Sequence, residues 1–570
     1  MASPFLVVAL LALLVVPRLE AVPPAAQKPA PSKIAEIVRQ RAAVLARTLS
    51  SRPLRRLAVP EVAALSDSAL RVDAAGRLLL IFHAAQPTGE KEKRQLTDLG
   101  AWIERSTSDP ELARGQRGLP NLGMIVAWVP YDQIDRAAGL SWVVAVTPAE
   151  TPHFNVGSVT SQGVKLHRAD VAQNAGFDGT GVRIGVVSNG VVHLASAVAS
   201  GDLPTGVTVQ DAGTGDEGTA MLEIVHDMAP KAQLYFHASG SNVVSYVAAL
   251  EALATAGVDV IAEDIAFDTE PAFEKGIAAA ELESLAGRGI SVYGSIGNLG
   301  DAHASRVRAD GTGHGPDGYD GPFTGCTISP TDVVDLDPGP GTAFDLQIAP
   351  GSKATVVLQW SEPRQSGPSH GGGFTDLDLF LLDASGKTCL AQASGTQGGG
   401  NGDTIEVLTY TNTTGNTLSV KLAVNRTASS GAVASPLIDL RWRGAGAVDP
   451  TDRRGSIDPN ENVTTLASTV AAASAAAGTD ATQVPLESYS AGGPVHLEST
   501  TVCDHGAYPC AQGVAGSIVF DGGGASWTAA DEVSVSGAGG FPTTFGGTSA
   551  SAPHAAGCDA LIRQQLQGEG

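Results

Sequence analysis

The chain has 570 residues, with 36 basic against 59 acidic side chains for a formal net charge of −23, and is 43% hydrophobic but only 17% charged. That length implies several domain-sized units of about 150 residues each, and the composition excludes a highly charged disordered polymer. The 68 glycines exceed the roughly 7% of an average protein but fall far short of the one-third of a collagen. The carboxylate excess, unrelieved by any cluster of Lys or Arg, repels phosphate backbones and anionic lipid, so nucleic acid and membrane surfaces are not expected partners.

In chain order, the first feature is the apolar run FLVVALLALLVV from Phe5 to Val16, too short to span about 30 Å of hydrocarbon as a helix. Together with the small residues near Ala21 it reads as a signal peptide over residues 1–22, although the leading MASP lacks the usual Lys or Arg; a buried helix is the alternative. A secreted, extracellular and monomeric mature chain is expected. Among the five cysteines, Cys503 and Cys510 bracket a short loop and can close a bridge, Cys326 and Cys389 can form another, and Cys558 is then left free.

Residues 23–67 read as Pro- and Ala-rich linker with one short helical stretch. From residue 68 to 150 a small βαβ-type module is expected. Its strands are RLLLIFHA, MIVAWVP and SWVVAVTP; its helices are KRQLTDLGAWIER, with Leu96, Leu99 and Ile103 at helical spacing, and YDQIDRAAGL. An independent ferredoxin-like domain is one reading of this module. The next block, residues 155–305, alternates strands such as GVRIGVVSNG, AQLYFHAS, VDVIAEDIAF and GISVYGSIGN with helical stretches. That pattern predicts a parallel sheet covered on both faces, with chemistry at the carboxyl ends of strands. Those ends are Ser188-Asn189-Gly190, Glu263-Asp264 and Gly297-Asn298.

Over residues 306–454 helical periodicity gives way to short alternating strands, TAFDLQIAP, ATVVLQW, TDLDLFLLD, TIEVLTY and SVKLAV, separated by Gly, Ser, Asn and Pro. This is the pattern of a β-sandwich, and because α/β character returns over residues 455–570 the sandwich reads as an insertion. Within it Asp376, Asp378 and Asp383 are either calcium ligands or solvated carboxylates on an edge strand. The triplets at Asn412, Asn425 and Asn462 have the form of glycosylation sites.

The most specific string is GGTSASAPHAAG, Gly546 to Gly557. Its glycines permit a tight backbone, and Ser549 falls at a helix start with Pro553 in what reads as the first turn. A serine there exposes its hydroxyl, and its own N–H can face a developing oxyanion. An ordinary helix-capping serine is the plainer reading of a bare GTS.

The whole string resembles the nucleophile motif of subtilisin-like serine peptidases. Other segments resemble that family's motifs in the same order: GVRIGVVSNG the strand that ends in the triad aspartate, DEGTAMLEIVHDMAP the helix that opens with the triad histidine, YGSIGNLG the oxyanion-hole segment, and VPLESYSAGGPV and VSVSGAGGFPTTF the stretches before the nucleophile. The resemblance implies an α/β fold, a subtilisin-like parallel sheet with helices on both faces, interrupted by the sandwich and preceded by a ferredoxin-like propeptide. It makes Ser549 the nucleophile and Asn298 the oxyanion donor, with polypeptides and the chain's own propeptide as partners and no required cofactor. Glu217 stands at the histidine position and Asn189 near the aspartate position, in the segment Ser188-Asn189. A glutamate there resembles the acid-acting sedolisins, whose aspartate would fall at Met221 here. A free glutamate titrates near pH 4.3, and a helix N-terminus favours its ionised form, so Glu217 is expected to be a weak base at neutral pH with an acidic optimum. Substitute acids are Asp216, Asp264, His193 or His226; the plainer reading of Asp264 is a strand-end carboxylate satisfied by turn amides. His226 and Asp227 read as surface residues and His554 as structural.

Three functional classes follow. The first is a secreted serine endopeptidase acting through Ser549 and Glu217; the second is a pseudopeptidase that binds peptide without cleavage; the third is an adhesion or carbohydrate-binding protein in which the insert carries the function. The chain ends thirteen residues after Gly557, which leaves a fragment or an unusually short catalytic segment as the two readings of its end.

Overall fold

The computed structural model describes residues 32–50, 56–57, 61–62, 65–66, 70–109, 123–149, 158–159, 161–273, 276–298, 303–337, 340–367, 371–398, 402–429, 435–447, 468–474, 490, 495–499, 518–522 and 527–568. The signal-peptide reading of residues 1–22, the Cys503–Cys510 pairing and the Asn462 triplet lie outside the described residues.

The first unit starts with helix α1 (Glu36–Ser50), which buries Ile37, Val38, Leu45 and Leu49. Strand β1 (Arg77–Ala84), helix α2 (Glu90–Thr97), strands β2 (Trp102–Ser106) and β3 (Gly123–Pro130), helix α3 (Ile134–Ala138) and strand β4 (Val143–Pro148) follow. The four strands lie in the order β2-β3-β1-β4 and every neighbouring pair is antiparallel, a β-α-β-β-α-β arrangement. Because side chains alternate across a strand, the sheet has two apolar faces. Leu78, Leu80, Phe82, Ile125 and Val129 share a core with α1, while Leu79, Ile81, Met124, Val126 and Trp128 pack onto the neighbouring unit. The helix expected across KRQLTDLGAWIER stops at Thr97. Gly100 takes a left-handed φ of 82°, and Trp102 to Ser106 then pairs with β3, Ile103 lying opposite Ala127.

The second unit builds strands β5 (Arg183–Ser188) and β6 (Thr208–Asp211), helix α4 (Glu217–Met228), strand β7 (Gln233–Ala238), helix α5 (Val243–Thr255), strand β8 (Val260–Glu263), helix α6 (Ile277–Gly287) and strand β9 (Ser291–Ser295). The chain then leaves for eight antiparallel strands, β10 (His303–Arg308), β11 (Phe344–Ile348), β12 (Lys353–Trp360), β13 (Thr375–Asp383), β14 (Cys389–Ala393), β15 (Ile405–Thr411), β16 (Leu418–Ser429) and β17 (Leu437–Arg443). It returns for β18 (Ser468–Ser474), β19 (Trp527–Asp531) and helix α7 (Thr548–Gly568). The seven-stranded parallel sheet runs β19-β18-β9-β8-β5-β7-β6. Helices α4 and α7 close one face, with Met221, Leu222, Val225 and Ala556 in the core. Helices α5 and α6 close the other, with Val247, Leu250 and Leu285. Burial on both faces accounts for the nearly unbroken aliphatic strands.

The antiparallel strands form two sheets, β10-β17-β12-β15 and β14-β13-β16-β11, the second extended by a short strand at residues 446–447. They enclose a common core that includes Leu346, Val356, Leu358, Leu379, Val424 and Trp442, and the Cys326–Cys389 disulfide joins a preceding loop to β14. Asp376 and Asp378 are not on an edge strand as expected: β13 lies between β14 and β16, and both residues are buried. Asp378 accepts a hydrogen bond from Thr427 and Asp376 one from the Gln397 N–H, while Asp383 caps the turn at Ser385 to Thr388. Asn412 and Asn425 are also buried, and their side chains are occupied inside the sheets, whereas glycan acceptors lie on surface loops. Among the described residues no group of three or more His, Cys, Asp or Glu is placed to hold a metal ion, no helix is long and apolar enough to cross a membrane, and Cys558 is the free thiol.

Candidate active site

Five segments meet at the carboxyl edge of the parallel sheet. Strand β5 ends in Ser188 and Asn189, β8 in Glu263 and Asp264, and β9 runs on to Gly297 and Asn298; helices α4 and α7 begin there with Glu217 and with Thr548-Ser549. Strands β8 and β5 are direct neighbours, which brings Asp264 beside the Ser188-Asn189 pair.

Asn189 holds Glu217 at two points. Its Nδ2 donates to Glu217 Oε2 at 3.2 Å, and its Oδ1 accepts from the Glu217 N–H at 3.1 Å. Ser188 Oγ donates to Asp264 Oδ2 at 3.1 Å. Ser188, Glu217, Asp264 and Ser549 are all 0% exposed. Glu217 Oε1, Asp264 Oδ1 and Ser549 Oγ fall short of well-formed hydrogen bonds, yet the Asp264 and Ser549 side chains lie close enough to act directly on the Glu217 carboxyl. Burial raises the Glu217 carboxyl well above its ordinary value, the Asp264 charge adds to the rise, and the Ser549 hydroxyl opposes it. Burial likewise raises Asp264, against hydrogen bonds from Ser188, Glu217 and its own backbone. The bias toward the ionised form expected for Glu217 from its helix N-terminus is therefore opposed by desolvation, which favours the neutral acid.

Asn298 is fixed through its carbonyl. Its Oδ1 accepts from the Thr548 N–H at 2.8 Å and from Thr548 Oγ1 at 2.9 Å, and Thr548 Oγ1 in turn accepts from the Gly297 N–H at 3.0 Å. A Cβ at Gly547 would come within 2.6 Å of Asn298 Nδ2, and the φ there is 88°, so only glycine lets the segment pass beneath that amide. Pro553 falls in the second turn of α7 rather than the first, since the helix begins at Thr548. It therefore supplies no N–H to the Ser549 carbonyl four residues earlier.

The other candidates separate cleanly. Asp216 pairs with His193, Oδ2 to Nδ1 at 2.7 Å, on the exposed side of the α4 N-terminus. Met221 is buried in the core. Half-buried His226 and exposed Asp227 lie in the last turn of α4. His554 is buried, with Nδ1 at 2.7 Å from the Ala550 carbonyl and Nε2 at 3.3 Å from Ser161 Oγ, and burial pushes it down to about 3. Asp264 is bonded by its own backbone, as the plainer reading has it, but also by Ser188 Oγ, and it acts on Glu217. In the sequence Ser188 and Asp264 stood out only as strand ends, Asp264 as one of several substitute acids. The available signal was a carboxylate closing a central strand, and its meaning depends on β8 lying next to β5.

No family model matches the chain, and no curated protein matches it. Among solved structures the chain is similar to the CspB protease of Clostridium perfringens, at 12% identity over 70% of this chain and 88% of that chain with a TM-score of 0.38. It is also similar to the prenylagaramide maturation protease PagA, at 14% identity over 23% of this chain and 52% of that chain with a TM-score of 0.20.

Proposed function

We propose that the chain is a secreted subtilisin-like serine endopeptidase that hydrolyses peptide bonds through an acyl-enzyme on Ser549. One observation carries the reading: Ser549, at the start of α7, lies against a buried Glu217–Asp264 pair, while Asn298 is tied to the adjoining Thr548. Ser549 Oγ attacks the substrate carbonyl carbon as its proton passes to Glu217. Glu217 then returns that proton to the leaving amine, and water repeats the sequence to release the acid. Asn298 Nδ2 and the N–H groups at the start of α7 stabilise the oxyanion. Asp264, one of the substitute acids named from the sequence, takes the role of the acid that shares a proton with the base, and Asn189 orients Glu217.

The competent enzyme holds one proton on the pair. With two, Glu217 cannot act as base; with none, two like charges face each other away from water. Activity is therefore bell-shaped in pH, bounded by ionisations that belong to the pair. Burial sets the acid limb above the ordinary carboxylate range near pH 4. Within this reading the N-terminal unit is the propeptide, a chaperone and inhibitor, supported by the apolar sheet face it lays over α5 and α6. Residues 306–454 are the inserted β-sandwich. Export rests on the Phe5 to Val16 run and agrees with the Cys326–Cys389 disulfide. The reaction as written uses protein groups and water.

A second reading, a peptide-binding protein without cleavage, is favoured by one detail: Ser549 Oγ and Glu217 Oε1 do not close the hydrogen bond a base uses. Labelling with a fluorophosphonate from about pH 3 to 9 separates the two. We expect bell-shaped labelling that Ser549→Ala abolishes and Glu217→Gln slows by about 10² or more. Labelling absent at every pH would establish the second reading.

A further inference from the structure

Hydrogen-bond accounting divides the four oxygens of the acid pair into two kinds. Glu217 Oε2 accepts from Asn189 and Asp264 Oδ2 accepts from Ser188. Glu217 Oε1 and Asp264 Oδ1 receive no ordinary hydrogen bond and lie in residues sealed from solvent. Two buried carboxylates that act on one another are not both charged at low cost, so the pair holds one proton in common. Asn189 thus backs Glu217 and Ser188 backs Asp264, and these two side-chain donors are consecutive residues at the end of β5.

Resting on the peptidase reading of this same site, we infer that Ser188 is a positioning residue: its hydroxyl, opposite the Asn189 amide, balances the shared proton between Asp264 and Glu217. Without Ser188 the Asp264 carboxylate loses its side-chain donor from β5 and holds the proton more tightly. With both donors present the proton has two partners of comparable strength, and it can move to Asp264 as the Ser549 proton arrives at Glu217. The groups that face the pair are Ser549 from α7 and Ser188 and Asn189 from β5. On the far side of β8 the titratable groups are Tyr246 of α5, Glu263 of β8 and Glu281 of α6, all buried. The nearby Arg288 is engaged by Glu251 at 2.8 Å and Glu281 at 3.6 Å, and neither Asp264 nor Glu217 owes any part of its shift to a Lys or Arg.

The test uses the full-length chain and three variants, Ser188→Ala, Ser188→Cys and Ser188→Thr, each checked for native melting behaviour. Two readouts are taken against pH: the rate of Ser549 labelling by a fluorophosphonate, and the infrared carbonyl band of protonated buried carboxyls. A hydrogen bond to a charged group predicts that Ser188→Ala moves both profiles to higher pH by about one unit or more. Ser188→Cys, which keeps the volume and offers a weaker donor, moves them the same way by less, and Ser188→Thr leaves them near the parent's. If Ser188→Ala does not fold, the cysteine variant alone decides. Profiles unmoved by loss of the hydroxyl, or moved equally by Ser188→Thr, overturn the inference. Absence of labelling in the parent would refute the peptidase reading, while the infrared titration would still decide the role of Ser188.

Discussion

Asn189 carries the sharpest difference between what its position implies and what its side chain does. Read as a damaged triad aspartate, it invites Asn189→Asp as a repair. Its amide, however, gives a proton donor to Glu217 Oε2 and an acceptor to the Glu217 N–H. Aspartate would keep the acceptor, lose the donor and set a third carboxylate against a buried pair. We predict that Asn189→Asp slows Ser549 labelling about tenfold or more at the parent's optimum and pushes the acid limb to higher pH, because a like charge favours the protonated pair. A faster rate, measured on the same preparation, would reinstate the damaged-triad interpretation. Ser549, Glu217 and Asn298 could be picked out as candidates because each sits inside a contiguous string whose glycines and small residues are specific. Asp264 was legible only as one of several substitute acids, because Ser188 and Glu217 are 76 and 47 residues away in sequence (264 − 188 and 264 − 217), and only the order of strands brings them together.

At the scale of elements, the aliphatic runs gave away their strands, whereas β2 was hidden. It is short, it carries Glu104 and Arg105 where alternation would be read, and its Trp102 is 57% exposed on the outer strand of the sheet. Helix α4 departs in the opposite direction. Gly218, Thr219, Leu222 and Glu223 are buried along with its apolar face, since α7 packs along a side that an isolated helix would give to water. Glu223 accepts from the Ser536 N–H at 2.7 Å and from Ser536 Oγ at 2.5 Å. It thereby fastens the segment leading to Ser549 onto the helix that carries Glu217. Burial pushes this carboxyl up to about 7. The sign follows from linkage: the folded value lies above the unfolded one of about 4.3, so the fold is favoured at low pH and loses stability as pH rises between the two, and no more above 7. We predict that Glu223→Gln removes up to about 1.4 kcal/mol per pH unit from the pH dependence of stability in that window. Denaturant unfolding at intervals from about pH 4.5 to 7.5 measures it, and parallel curves for parent and variant would mean that Glu223 does not titrate there.

At the scale of the molecule, the change of composition after residue 305 made the insertion legible, but nothing in the sequence placed it. Its docking uses residues far apart in the chain. Arg443 makes a two-point bond to Asp268, Nε at 2.9 Å and Nη2 at 3.0 Å. Gln359 Nε2 donates to the carbonyls of Asp268 and Glu270, both at 3.0 Å, and its Oε1 accepts from the Ala272 N–H at 2.7 Å. The same insert reaches the N-terminal unit, where Gln365 donates to the Val144 carbonyl and Val357 and Val407 enter the core beneath α1. The N-terminal unit closes the circuit through Glu104, which accepts from Ser241 and Asn242 at the start of α5 and from Trp128. Three units joined pairwise in this way should unfold together, because separating any two exposes surface buried by the third. Arg443→Ala tests that coupling at one joint. Losing a bidentate bond to a buried carboxylate costs about 2 kcal/mol or more, and if the units are coupled the whole chain bears the loss as one lowered calorimetric transition. If the insert instead melts separately while the parallel-sheet unit keeps its parent midpoint, the joint is local and the insert is an independent passenger on that unit.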